Sequence, residues 1–449
     1  MAARLRAYLD QEVPRYTSYP TAPHFGPAVD GAVYAAWLRA LDPGTPLSLY
    51  LHVPFCAKMC WYCGCHTKIV RRQAPVEAYA KSLAAEIALV AAALPRRMGV
   101  TAIHWGGGTP TMLSAADFRA LMDRLGTCFE IAAEADIAVE IDPRTLSRDM
   151  AGVLARAGVT RASLGVQDFN PDIQRAINRV QSYETTAGAV ADLRGAGVAA
   201  INFDLMYGLP GQTVADVVRS VDLSASLEPD RVALFGYAHV PWMKRHQQRI
   251  DEAALPGGTE RLAQLEGAAA QLAGHGYRRV GLDHFARAGD PMARALDDGS
   301  LRRNFQGYTV DPAPVLLGFG ASAIGSLAEG YVQNLVPIKG YADAVAAGRL
   351  PVARGVEVDD EDRLRRDVVE RLMCDSAIDL GAVCRAHGAA AGHFDTELHS
   401  LRRFERDGLL TISGHRIHLT AAGAPFVRNV CAVFDSYLKT GAGRHSRAV

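Results

Sequence analysis

The sequence predicts an α/β fold: a partial (β/α)6 TIM-like barrel, with an N-terminal arm before it and a mainly helical C-terminal domain carrying a small β hairpin after it. Three observations lead there. From about residue 45, short apolar runs alternate with segments of helical period. The polar, glycine-rich and cysteine-rich stretches fall directly after the apolar runs, as in barrels whose chemistry gathers at the C-terminal ends of the strands. Past residue 345 the alternation stops. The expected division is therefore 1–44, 45–345 and 346–449.

Residues 1–44 are proline-rich without clear periodicity and read as an extended arm leaning on the barrel. The strand candidates are Leu47–Val53, Thr101–Trp105, Asp136–Ile141, Arg161–Val166, Ala200–Met206 and Arg231–Phe235, each bounded by turn residues. Val76–Leu94 carries Val76, Tyr79, Leu83, Ile87, Val90 and Leu94 on one helical stripe. Ser114 and Ser147 are expected N-caps, because a side-chain oxygen there accepts an otherwise orphan backbone N–H. Successive β-α units imply a parallel sheet. Beyond residue 345, Asp360–Cys374 and Asp395–Arg406 read as amphipathic helices, Gly408–Ile412 and Arg416–Thr420 as a hairpin, and Ala424–Leu438 as a last helix. This resembles a winged helix, but Lys+Arg and Asp+Glu balance at 48 each, so a packing or lid role is favoured over nucleic-acid binding.

The same balance removes any global field for nucleic acid or membrane, and an anionic substrate would need local basic residues. No apolar run is long enough to span a bilayer. The opening segment MAARLRAYLDQE is charged throughout, so a cytoplasmic location is expected.

Four of the eight cysteines fall within Cys56-Ala-Lys-Met-Cys60-Trp-Tyr-Cys63-Gly-Cys65. Cys128, Cys374, Cys384 and Cys431 lie in apolar segments and read as packing residues. Thiols crowded this closely suit a soft metal site better than disulfides. Structural zinc usually joins two separated halves, and a ferredoxin-like cluster wants four thiolates. Cys56, Cys60 and Cys63 as the three ligands of an iron–sulfur cluster is the favoured reading, with four-cysteine electron transfer and zinc as the alternatives. Three ligands leave one iron open to an amino and a carboxylate group.

Cys-x3-Cys-x2-Cys after the first strand, with the aromatic Tyr62 before the third cysteine, resembles the signature of the radical SAM superfamily. That resemblance implies a 4Fe-4S cluster and S-adenosylmethionine (SAM), split to methionine and a 5′-deoxyadenosyl radical that breaks a strong C–H bond. Gly106-Gly107-Gly108-Thr109-Pro110 is similar to the superfamily's glycine-rich motif. Glu140, at a strand end, is positioned for ribose hydroxyls. Asp204 lies in an apolar strand where an unpaired carboxylate is costly, so it needs either a structural hydrogen bond or a ligand. Gly208–Thr213 lacks the Gly-Lys-Ser/Thr of a phosphate loop, and Gly318–Gly325 has the wrong spacing for a dinucleotide fingerprint; its Ile324 reads as an apolar wall for adenine.

Several further segments resemble the oxygen-independent coproporphyrinogen III oxidase (dehydrogenase) family. They include Pro14-Arg-Tyr-Thr-Ser-Tyr-Pro20, Gly165-Val-Gln-Asp-Phe-Asn170, Tyr207-Gly-Leu-Pro210, Asp283-His-Phe-Ala-Arg287, Asn304-Phe-Gln-Gly-Tyr308 and Arg428-Asn-Val-Cys431. The resemblance implies oxidative decarboxylation of two propionates of coproporphyrinogen III to vinyls in haem biosynthesis, giving protoporphyrinogen IX and two CO2. It also implies two SAM molecules. The first would meet Tyr50, Gly107, Glu140 and Ile324; the second would meet Tyr62, Gly108, Thr109, Gln167, Arg179, Asp204 and Ala238. Cys65 becomes a residue near substrate or the second SAM. Arg15 is the first candidate for a propionate, since arginines hold carboxylates by charge-assisted bonds, and Gln306 is a second substrate candidate. A one-electron donor, an electron acceptor and a monomeric state are expected. A haem-binding chaperone of the same superfamily is the competing reading; Cys65, the arm motif and Asn304–Tyr308 favour the oxidase branch.

Overall fold

Twelve strands join into one sheet in the computed structural model, which describes residues 2–438. The central six are β1 (Leu47–Val53), β2 (Gly99–Gly107), β3 (Glu130–Ile141), β4 (Arg161–Gln167), β5 (Ala200–Tyr207) and β6 (Arg231–Gly236). Each pairs with the next in parallel. After them come β7 (Tyr277–Val280), β8 (His284–Arg287), β9 (Val315–Phe319), β10 (Ile324–Ser326), β11 (Gly330–Asn334) and β12 (Val352–Glu357). The sheet order is β12-β11-β10-β9-β1-β2-β3-β4-β5-β6-β8-β7. The expected six-strand partial barrel is present, and it is extended. β9 adds a seventh parallel strand beside β1, while antiparallel strands continue both edges.

Alternation along each central strand separates core from site. In β1, Leu47, Leu49, Leu51 and Val53 are fully buried in the same core as Val76, Leu83 and Ile87 of the helix Ala74–Ala93. The intervening Tyr50 and His52 share the other face, where the Tyr50 hydroxyl and His52 Nδ1 lie 3.0 Å apart. Ser114 and Ser147 cap the helices Ala115–Cys128 and Arg148–Arg156 by accepting from Asp117 N and Met150 N. Cys374, Cys384 and Cys431 are buried and Cys128 is half-buried, consistent with packing.

Three expectations need correction. The segment 1–44 is not simply extended: helices span Ala2–Leu9 and Gly31–Ala40. Asp30 caps the second, accepting from Ala32 N and Val33 N, and Tyr34, Trp37 and Leu38 form its buried stripe. In the C-terminal region, Ala377–Asp379 adds a third strand to the expected hairpin Leu410–Ser413/Arg416–Leu419. The last helix is not Ala424–Leu438; after a 3-10 turn it runs only over Val427–Cys431. Beyond it the arm captures the chain: Tyr16 donates to Asp435 Oδ2, and the Tyr19 hydroxyl pairs with Ser436 Oγ. These contacts join residues more than 400 positions apart, so local periodicity carries no trace of them.

Candidate active site

β1 ends at Val53, and the loop that follows carries the cysteines over the C-terminal rim of β2–β5. A cavity of about 200 Å³ lies beneath, lined by Cys56, Cys60, Cys63 and Cys65. Gly107, Gly108 and Thr109 come from the end of β2, and Glu140, Gln167 and Asp204 from the ends or inner faces of β3, β4 and β5. Tyr62 and Arg179 complete its wall. Twelve of the residues singled out from the sequence therefore share one cavity. Tyr50, Ala238, Ile324, Arg15 and Gln306 are not on its lining.

The loop is shaped by close backbone approach. A Cβ on Gly108 would sit 2.6 Å from Phe55 O and 2.8 Å from Phe55 N, so only glycine lets β2 pass the root of the cysteine loop. Gly107 has φ +109 and donates its N–H to Glu140 Oε2 at 3.1 Å. Glu140 also meets His104 Nε2 at 3.2 Å. Burial would raise the Glu140 pKa; the His104 and Gly107 hydrogen bonds outweigh it and hold the carboxylate low. Tyr50 stacks on His104 at 5.9 Å, directly behind this pair.

Sulfur–donor contacts surround the thiols. Arg144 Nη2 and Arg179 Nη1 each approach Cys60 Sγ at 3.5 Å, Thr109 Oγ1 approaches Cys56 Sγ at 3.5 Å, and Cys65 N donates to Cys63 Sγ at 3.4 Å. All four cysteines are free thiols. Cationic and N–H donors of this kind suit thiolate ligands. Among the described residues, no set of His, Cys, Asp and Glu converges on a single metal ion. In an iron–sulfur cluster each thiolate takes a different iron. Cys65 is set apart. It is solvent-accessible, and its pKa is raised first by hydrogen bonding with Cys63 and then by that neighbour's charge and by burial.

Arg179 donates to Gly165 O at 2.5 Å, and Gln167 adopts φ +72 beside it. Asp204 has the structural hydrogen bonds that its burial requires. It accepts from Ser163 Oγ and Asn202 Nδ2, each at 3.0 Å, yet it still faces the cavity. Burial raises its pKa to about 6, with the charge of Glu140 adding to the effect. Ala238 is half-buried above the rim and its carbonyl accepts from Gln247. Ile324 begins β10 and packs with a satellite group of Phe25, Tyr331 and Val358. Arg15 donates to Gly236 O at 2.9 Å, at the end of β6. Gln306 occupies the turn between Arg302–Asn304 and Gly307–Thr309, and its buried Nε2 has no partner.

Sequence reasoning missed the residues that grip the cysteine loop from outside. Asn178 Nδ2 donates to Met59 O, Gln247 Nε2 to Tyr62 O and Lys244 Nζ to Cys65 O, and His246 Nε2 lies 2.7 Å from Cys63 O. Arg144 is locked by Asp142 at 2.6 Å. The Asp142-Pro143-Arg144 step directly after β3 was the one local signal for Arg144; the other four contacts bind backbone carbonyls and leave no motif.

A parallel barrel rim bearing free thiols, a glycine strand and a carboxylate defines a class, and comparison with known proteins agrees with it. The Radical SAM superfamily model matches residues 50–224, and the HemN C-terminal domain matches residues 358–426. An oxygen-independent coproporphyrinogen III oxidase of Bradyrhizobium diazoefficiens is 52% identical over 443 residues, covering 99% of this chain and 98% of the relative. Its counterpart from Paracoccus denitrificans is 43% identical, covering 98% and 97%. The solved coproporphyrinogen III oxidase (HemN) of Escherichia coli, described as a radical SAM enzyme, superposes with TM-score 0.90 at 37% identity, covering 95% of this chain and all of that one. The chain is a radical SAM enzyme. It belongs to the oxygen-independent coproporphyrinogen III oxidase family.

Proposed function

We propose that this chain oxidatively decarboxylates two propionate side chains of coproporphyrinogen III to vinyls, giving protoporphyrinogen IX, the activity named for its relatives. The observation that carries the reading is the convergence of a three-thiol loop, a glycine strand and a paired carboxylate on one cavity. Membership of the superfamily brings a 4Fe-4S cluster and SAM, which when bound supply the one-electron chemistry that breaks the substrate C–H bond.

The chain's own residues bind, orient and exclude. We assign Cys56, Cys60 and Cys63 to the cluster. Arg144 and Arg179 place positive charge beside Cys60, which favours its thiolate. Tyr50, Gly107, Glu140 and Ile324 are assigned to the first SAM. Glu140 is an ionised acceptor for hydroxyl groups, and Gly107, whose N–H is bonded to Glu140, holds that carboxylate at the cavity. A second SAM is proposed against Tyr62, Gly108, Thr109, Gln167, Arg179, Asp204 and Ala238, and all but Ala238 line the same cavity. Cys65 is assigned to substrate or this second SAM, because it is exposed and lines the same cavity. Arg15 and Gln306 are assigned to substrate: each is polar, and Gln306 Nε2 lacks a protein partner.

The proposal includes an external one-electron donor, an acceptor for the electron left after CO2 departs, and action as a monomer in the cytoplasm. No helix among the described residues is long and apolar enough to cross a membrane. We keep the division 1–44, 45–345 and 346–449, with β12 contributed to the sheet from beyond the second boundary. The decisive assay offers coproporphyrinogen III and SAM to the reduced, anaerobically purified protein. Protoporphyrinogen IX and 5′-deoxyadenosine are expected; tight haem binding without turnover would favour the chaperone reading instead.

A further inference from the structure

Outside the thiol cavity, the interior continues across one row of the sheet. Gly165, Asp204, Ala233 and His284 lie in register on β4, β5, β6 and β8. Residues in such a row share a face, and neighbouring strands lie about 4.8 Å apart. Ala233 is small and buried, and it separates Asp204 from His284 by two strand spacings, roughly 10 Å. At its far side, His284 Nδ1 meets Asp283 Oδ1 at 2.8 Å. The Asp283 carbonyl accepts from Leu234 N, which fixes this pair beside the end of β6, where Arg15 is bonded to Gly236 O.

Asp283 is an unusual carboxylate. Its side chain retains 15% exposure in a deep position, and among the described residues no hydrogen bond reaches its second oxygen. Burial would raise its pKa, but the His284 bond and the charges of His284, Arg303 and Arg15 hold it down at about 2, so it stays ionised. The two arginines act on it without touching: neither is within ion-pair distance of any described carboxylate. Arg303 spans Tyr16 O and the face of Tyr308, 4.5 Å from the ring centroid, while its buried Nη1 has no partner. It also lines a cavity of about 330 Å³ between the arm and the turn that carries Gln306. Arg15 is exposed, and its guanidinium is held at the end of β6 by Gly236 O. An anion flanked by two cations with the gaps unclosed suits a ligand with central donors and peripheral anions.

A porphyrinogen has that arrangement. Its four pyrrole N–H groups are all donors, and its carboxylates lie on the rim. We propose that Asp283 is the acceptor for the pyrrole N–H groups of the bound porphyrinogen, with Arg15 and Arg303 taking carboxylates at its edge. This rests on the coproporphyrinogen reading above and adds a basis for selectivity. The oxidised porphyrin carries two N–H groups and two bare nitrogens, whose lone pairs oppose a carboxylate, so Asp283 favours the reduced ring.

The test measures binding to anaerobic holoenzyme without SAM, so that nothing turns over. Wild type is expected to prefer coproporphyrinogen III to coproporphyrin III by at least about tenfold, the scale of a charge-assisted hydrogen bond. Asp283→Asn, checked for iron content and thermal unfolding, should lose about tenfold in porphyrinogen affinity and leave porphyrin affinity nearly unchanged. Equal loss for both ligands, or no loss for the porphyrinogen, overturns the proposal. Should the variant fail to fold, N-methylcoproporphyrinogen offered to wild type decides: binding as tight as the parent compound refutes the role of Asp283, and at least about tenfold weakening supports it. Failure of the underlying reading looks different, since wild type would then bind no porphyrinogen, whatever its affinity for the oxidised ring.

Discussion

Cys65 stands two residues beyond Cys63, and the two thiols have different surroundings. Cys63 receives the Cys65 N–H and lies under His246, whereas Cys65 opens toward the cavity. Cys65→Ser is expected to retain the full iron content and ultraviolet–visible spectrum of the cluster while turnover falls by at least about tenfold. Loss of iron from that variant would make Cys65 a ligand. The thiols, the glycines, Glu140 and Asp204 were legible in the sequence because each follows or ends a strand, and strand ends of a parallel barrel converge. Lys244, His246, Gln247 and Asn178 were not, because they hold backbone carbonyls of Cys65, Cys63, Tyr62 and Met59 from distant segments. Any chain supplies those carbonyls, so nothing in the spelling marks the contact.

Among the elements, the helix Ala74–Ala93 shows how a legible stripe conceals a polar function. Its apolar residues Val76, Leu83, Ile87 and Val90 are buried as its period requires. Glu86, a charged residue on the same helix, is also buried, accepting from Tyr341 Oη at 2.7 Å and from Gly320 N and Asn334 Nδ2 at 2.6 Å. With Tyr79, which donates to His52 O and accepts from Ala321 N, it fastens β1 and the Gly320 turn between β9 and β10. Burial raises the Glu86 pKa to about 7, the three hydrogen bonds pulling the other way. A raised carboxyl pKa means the folded chain holds the proton more tightly than the unfolded chain. Stability from this group is therefore complete below about pH 4 and declines as pH rises toward 7, by roughly 3 kcal/mol in all. Comparing thermal unfolding at pH 5 and pH 7.5, wild type should lose more stability than Glu86→Gln; equal losses would show that Glu86 does not titrate there.

At the scale of the whole molecule, the arm joins the two ends of the chain. Arg428 is buried and donates to Pro14 O at 2.9 Å and Val13 O at 2.5 Å, Asn429 donates to Tyr8 O, and Tyr8 to Asp407. These bonds set the backbone immediately before Arg15 and Tyr16. Arg428→Met strands two carbonyls and should destabilise by about 3 kcal/mol. The drop is measured in denaturant, together with a rise in KM for the porphyrinogen as Arg15 loses its support. A destabilised variant with unchanged KM would separate the arm from the substrate site.

What the sequence determined by itself is what depends on neighbours along the chain: the order of six parallel strands, the cysteine spacing, the glycine strand and the helix caps. Periodicity and short-range hydrogen bonding govern those features, and both are written locally. Tertiary structure alone decided the helices of the arm as docked pieces, the early stop of the last helix at Cys431, and the row from Asp204 past Ala233 to His284. Each of these arises when segments well separated along the chain bury one another's side chains. The free energy of such a contact belongs to the pair, and neither partner carries it alone.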